Sequence, residues 1–123
     1  MNNDKEKFKK EFKKRIYQFI IDVIKFIDQL PKNEITRVFV NQILRSCTSI
    51  GANYIEAQAS SSRKDFTNFF HHALKSANET MFWLCLLRDT GKCKKEDAEK
   101  LLKELKEISK IFGSSIITLK GKR

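Results

Sequence analysis

Gln42, Arg45, Ser49, Asn53 and Glu56 recur at steps of three and four residues, and Asn68, His72, Ser76 and Glu79 repeat the pattern further along the chain. On a helix this spacing lines side chains along one face, so each set forms a polar stripe where core residues would be expected. Carboxylates placed this way could act as acid and base. That chemistry needs a nucleophile, a phosphate loop or a third polar group to complete the site, and the sequence supplies none. Metal ligation finds no better support: His71 and His72 are adjacent and point to different sides of a helix, and no Glu-x-x-His pair of the di-iron bundle type occurs. The expectation is one histidine toward the core and one toward solvent. No catalytic residue, metal site or cofactor is expected, and the chain does not read as an enzyme.

Arg45, Glu56 and Glu79 sit on otherwise apolar segments. If buried, they must be paired, because removing one member of a buried ion pair costs about 3–5 kcal/mol. The expected role is a salt bridge between helices or subunits that fixes register, with Gln42, Ser49, Asn53 and Ser76 as neutral partners. The alternative is a polar pocket or pore lining at the centre of an oligomer.

Lys and Arg number 25 against 15 Asp and Glu, a formal charge of +10 that favours an acidic partner such as nucleic acid. Three groups are candidates for phosphate contact: Lys9, Lys10, Lys13, Lys14 and Arg15; the Arg63-Lys64 turn; and the basic tail of Lys120, Lys122 and Arg123. Such groups neutralise phosphates without reading bases. The N-terminal cluster reads equally as a solvated helix end. The aromatic residues fall in the helical core pattern and so are not expected to stack on bases, Tyr17 and Tyr54 being the two whose place the pattern leaves open.

The elements that must position these residues are helices. The 123 residues suffice for one domain, and a composition 41% hydrophobic and 33% charged, with one Pro and four Gly, leaves little turn punctuation for a sheet. Apolar periodicity predicts helices over about 4–30, 34–59, 63–90 and 95–119. Pro31 closes the first. Ser62 followed by Asp65 resembles a capping box that opens the third, Gly91 offers its C-terminal cap, and Gly113 marks a close approach or bend in the fourth. Short loops make neighbours antiparallel, so the expected fold is all-α, an up-down-up-down four-helix bundle. The surplus apolar residues Phe8, Ile20, Ile24 and Ile27 on the first helix point to a neighbouring subunit. Three cysteines, Cys47, Cys85 and Cys93, fit no disulfide framework and point to a reducing cytoplasm. The apolar run Ile16 to Ile27 is interrupted by Gln18, Asp22 and Lys25 and is too short to span a bilayer, so no membrane partner is expected. Asn78-Glu79-Thr80 matches a glycosylation acceptor but falls mid-helix and is discounted.

The segments Leu30-Pro31-Lys32-Asn33-Glu34, Gln42-Ile43-Leu44-Arg45, Ser49-Ile50, Asn53-Tyr54-Ile55-Glu56, Lys64-Asp65-Phe66, Ala73-Leu74-Lys75-Ser76 and Glu79 together resemble the four-helix-bundle family of 23S ribosomal RNA intervening-sequence proteins. That resemblance implies an antiparallel bundle assembled into a pentamer, in small bacterial proteins some of which are encoded within insertions in ribosomal RNA genes. Phe82-Trp83-Leu84 and Gly113-Ser114 also look like a related branch, the accessory variability determinant of diversity-generating retroelements, a basic pentameric barrel that works with a reverse transcriptase and nucleic acid. Two departures stand out. Ala57 replaces the family's usual Gly, with Ala59, Ser60 and Ser61 in place of glycine and basic residues, and Lys75-Ser76 stands where relatives commonly have Gly-Ser. The expected function is a ring-like homo-oligomer, a pentamer by resemblance, associated with RNA through phosphate contacts. An adaptor for a reverse transcriptase or another nucleic-acid-processing protein is the alternative.

Overall fold

The structure, a computed structural model, describes residues 2–121. Four helices follow one another: α1 (Asn2–Asp28), α2 (Glu34–Ala59), α3 (Arg63–Asp89) and α4 (Lys95–Gly121), with no strand among the described residues. The all-α bundle expected from periodicity is therefore present.

Each boundary has a local cause. Helix α1 stops two residues short of the expected Leu30 because Gln29 and Leu30 donate to the carbonyls of Phe26 and Ile27, tightening the chain into a turn before Pro31. Asn33 caps α2 by accepting from the Thr36 N–H at 3.0 Å, and Ser62 caps α3 by accepting from the Asp65 N–H at 3.1 Å. Gly91, at φ +67°, ends α3 in a Schellman motif: Lys92 N–H reaches the Leu87 carbonyl and Gly91 N–H that of Arg88.

The heptad-like line Phe12, Ile16, Phe19, Val23 and Phe26 of α1 is buried, as are Ile43, Cys47 and Ile50 of α2, Ala73, Ala77, Leu84 and Leu87 of α3, and Leu105, Ile108 and Phe112 of α4. Together they form one core. Helices α2 and α3 share the broadest interface, since small residues line both faces, whereas α1 rests more lightly on α2 and α4. The α1–α2 approach is tight at Gly51, where an added Cβ would stand 2.9 Å from Ile20 Cδ1. No close approach requires Gly113, since an added Cβ there would meet nothing within 4 Å. His71 is half-buried and His72 exposed.

Candidate nucleic-acid interface and polar seam

The two polar stripes meet where α2 and α3 pack. Thr80 and Ser46 share a hydroxyl hydrogen bond of 2.8 Å, and both residues are fully buried. One turn along, Ser76 Oγ donates to Ser49 Oγ at 2.9 Å, and Asn53 Nδ2 donates to the Ser49 carbonyl at 2.9 Å. At the outer end Arg45 pairs with Glu79 across the interface while Arg45 Nη2 donates to Gln42 Oε1 at 2.8 Å. Trp83 Nε1 donates to the same Glu79 carboxylate at 3.1 Å. The seam is thus a ladder of mutually satisfied groups running from the buried interface to its rim.

The stripe residues differ in depth and in pairing. Within the chain the Arg45–Glu79 pair is not a buried one, since the side chains remain 58% and 36% exposed. Glu56 lies outside the ladder, exposed and without a hydrogen bond or ion pair among the described residues. Asn68 and His72 are exposed as well. Conversely, the buried centre of the ladder, Ser46 and Thr80, was missed by sequence reasoning. The signal was present, because Ser46-Ser49-Asn53 and Ser76-Thr80 keep the same steps of three and four, but short hydroxyl side chains stand out less than charges beside them.

The basic residues converge by topology. Antiparallel packing sets the start of α1, the end of α2, the start of α3 and the end of α4 at one end of the bundle. There the Tyr54 hydroxyl donates to the Lys9 carbonyl at 3.3 Å, and the rings of Phe12 and Phe112 approach to 5.1 Å. Lys9 and Lys10 on α1, Arg63 and Lys64 on α3 and Lys120 on α4 therefore belong to one end, while Lys13 and Lys14 lie toward the middle of α1, and all are exposed. Lys9 stands 3.8 Å from Glu6 in a loose surface pair. Lys122 and Arg123 lie outside the described residues.

Arg15 differs from its neighbours. Its Nε and Nη2 donate to the two Glu104 oxygens at 2.7 and 2.9 Å, a bidentate bond that ties α1 to α4. That bond is the main cause holding the guanidinium's pKa above its ordinary value, and it commits the group to a partner in the chain. Among the described residues no three His, Cys, Asp or Glu side chains gather to hold a metal, and no helix is long and apolar enough to cross a membrane. Cys47 is buried in the core, and burial pushes its thiol up to about 12.

Comparison with known proteins places these features in context. Residues 9–114 match the family described as 23S rRNA-intervening sequence protein, a span that takes in the whole seam and the basic residues of α1 and α3. The crystal structure of a protein of unknown function from the S23 ribosomal protein family of Bacteroides thetaiotaomicron is similar over 85% of this chain and 97% of its own, at 41% sequence identity and a TM-score of 0.76. Comparison with curated proteins finds no match.

Proposed function

The chain belongs to the 23S rRNA-intervening sequence protein family, and from that premise we propose that it is a non-enzymatic, basic, ring-like homopentamer that associates with RNA in the cytoplasm through sequence-independent phosphate contacts. The observation that carries the proposal is the convergence of lysines from α1, α3 and α4 at one end of the bundle. Exposed ammonium groups from segments far apart in sequence form one field, and each phosphate neutralised releases counterions to solution. Repetition of that field around a ring makes later contacts intramolecular and multiplies a weak single-site affinity.

Assembly is supported by the apolar side chains that the single bundle leaves uncovered. Tyr17 and Ile24 on α1 and Ile55 on α2 are exposed, and Tyr17 and Ile55 flank a cleft over Gly51. Covering that face is worth roughly 25 cal/mol for each Å² of apolar surface removed from water. Free thiols at Cys47, Cys85 and Cys93 suit a reducing compartment.

Replacing Lys9, Lys10, Lys13 and Lys14 together with Gln tests the proposal. The variant should keep its helicity and oligomer mass while binding a ribosomal RNA fragment more weakly and with a shallower salt dependence. Unchanged affinity would remove the N-terminal cluster from the interface. The second reading, an adaptor that docks a nucleic-acid enzyme, is favoured by Phe82, which is exposed on α3 edge-on to Trp83 at 5.1 Å. Phe82→Ser should abolish partner capture and leave RNA affinity intact if that reading holds.

A further inference from the structure

The end of the bundle that gathers the lysines is also where aromatic side chains reach the surface. Phe8 is 52% exposed and stacks on buried Phe12 with ring centroids 6.0 Å apart and planes at 21°. In the same open pocket of about 330 Å³, Phe66 lies on Phe70 at a centroid distance of 4.5 Å. Tyr54 lies deeper in the same pocket, held by its bond to the Lys9 carbonyl. Gln58, Ser114 and Thr118 add an amide and two hydroxyls to the lining. The volume falls in the roughly 300–1,000 Å³ range of small-ligand clefts.

Three chemistries therefore meet at one place: aromatic walls, hydrogen-bonding groups and the positive charge of Lys9. An aliphatic ligand would use only the walls, and a free phosphate only the lysine. A nucleotide uses all three, since its base offers a π-face and a polar edge while its phosphate carries the negative charge. We infer that this pocket receives an unstacked base of single-stranded RNA whose flanking phosphate is met by Lys9, the lysine of its lining. The inference rests on the RNA reading above and deepens it, because phosphate contact alone gives no preference for unpaired strands. Every base has a π-face, so the pocket selects single-strandedness more than sequence.

The test compares two labelled oligomers of about ten nucleotides, within the site sizes of single-strand binders, by fluorescence anisotropy on the full chain at one salt concentration. One is oligoadenylate and the other its abasic ribose–phosphate counterpart. Oligoadenylate should bind roughly tenfold more tightly, as one stacked base would give. That preference should fall to near parity in Phe8→Ala, which removes a wall, and independently in Thr118→Trp, which fills the pocket from an exposed position. Both variants should keep the wild-type affinity for the abasic oligomer and the wild-type melting temperature. Equal wild-type affinity for the two oligomers overturns the base pocket and leaves the phosphate reading standing; failure to bind either overturns both. A preference that survives in both variants removes the base from this pocket. Parity of the oligomers together with tight capture of an amphipathic acidic peptide, lost in both variants, would overturn the inference in favour of a protein occupant.

Discussion

Ser46 and Thr80 hold the α2–α3 interface in register with one hydrogen bond inside the core. Removing the Thr80 hydroxyl leaves Ser46 Oγ only the Ile43 carbonyl at 3.4 Å, and the loss of one such hydrogen bond costs about 0.5–1.5 kcal/mol. Thr80→Val should therefore destabilise the bundle in urea unfolding by an amount in that range, and Ser46→Ala added to it should recover part of the loss. Strict additivity would show that the two hydroxyls do not interact. Arg45 and Glu79 should behave differently. Their pair is half in solvent, so Arg45→Ala, which leaves the Trp83–Glu79 bond in place, should cost the isolated chain less than about 1 kcal/mol. A loss of several kcal/mol that appears only at concentrations where the chain assembles would mean that a neighbouring subunit covers the pair. Cys47 gives a pH dependence of definite sign. Burial raises its pKa from 9.0 in the unfolded reference to about 12 in the fold, so across that interval the unfolded chain has lost the proton and the folded chain keeps it. The contribution of this thiol is full below pH 9 and declines as pH rises from 9 toward 12. Urea midpoints should fall more steeply over that interval in the wild type than in Cys47→Ala, and identical slopes would contradict the burial argument.

At the scale of the element, the four helices were legible because apolar residues recur every three or four positions and the few breaks carry strong punctuation: Pro31, Ser62 and Gly91. What periodicity could not supply was depth. It marks a face as apolar or polar without saying how far that face lies from solvent, so the depth of Arg45 and Glu79, which the structure leaves 58% and 36% exposed, was not legible in the sequence. The convergence of Lys9, Arg63 and Lys120 depends on antiparallel packing, which short loops imply; the aromatic pocket between those ends depends on side-chain placement that no loop length encodes. The close approach expected at Gly113 is absent for the same reason. A glycine inside a helix signals either a close neighbour or a tolerated weakness, and only the empty space around it decides. Gly113→Ala should accordingly stabilise the bundle by about 0.5–1 kcal/mol and raise the melting temperature by a few degrees. A fall in melting temperature would mean that something occupies that space in the assembled protein.

For the whole molecule, charge and apolar surface are distributed in a way that a lone bundle does not use. Lys9, Lys10, Lys64 and Lys120 share one end, while Tyr17, Ile24 and Ile55 lie uncovered along α1 and α2. A ring of subunits would bury the second feature and repeat the first, giving a surface on which several phosphates can be met at once. Light scattering on the purified protein, alone and with a structured ribosomal RNA fragment across a salt series, tests this account most directly. The account requires a particle of five times the 14.4 kDa chain mass that gains RNA at low salt and sheds it steeply as salt rises. A particle of single-chain mass, or an oligomer whose mass is unchanged by RNA at any salt concentration, would contradict it.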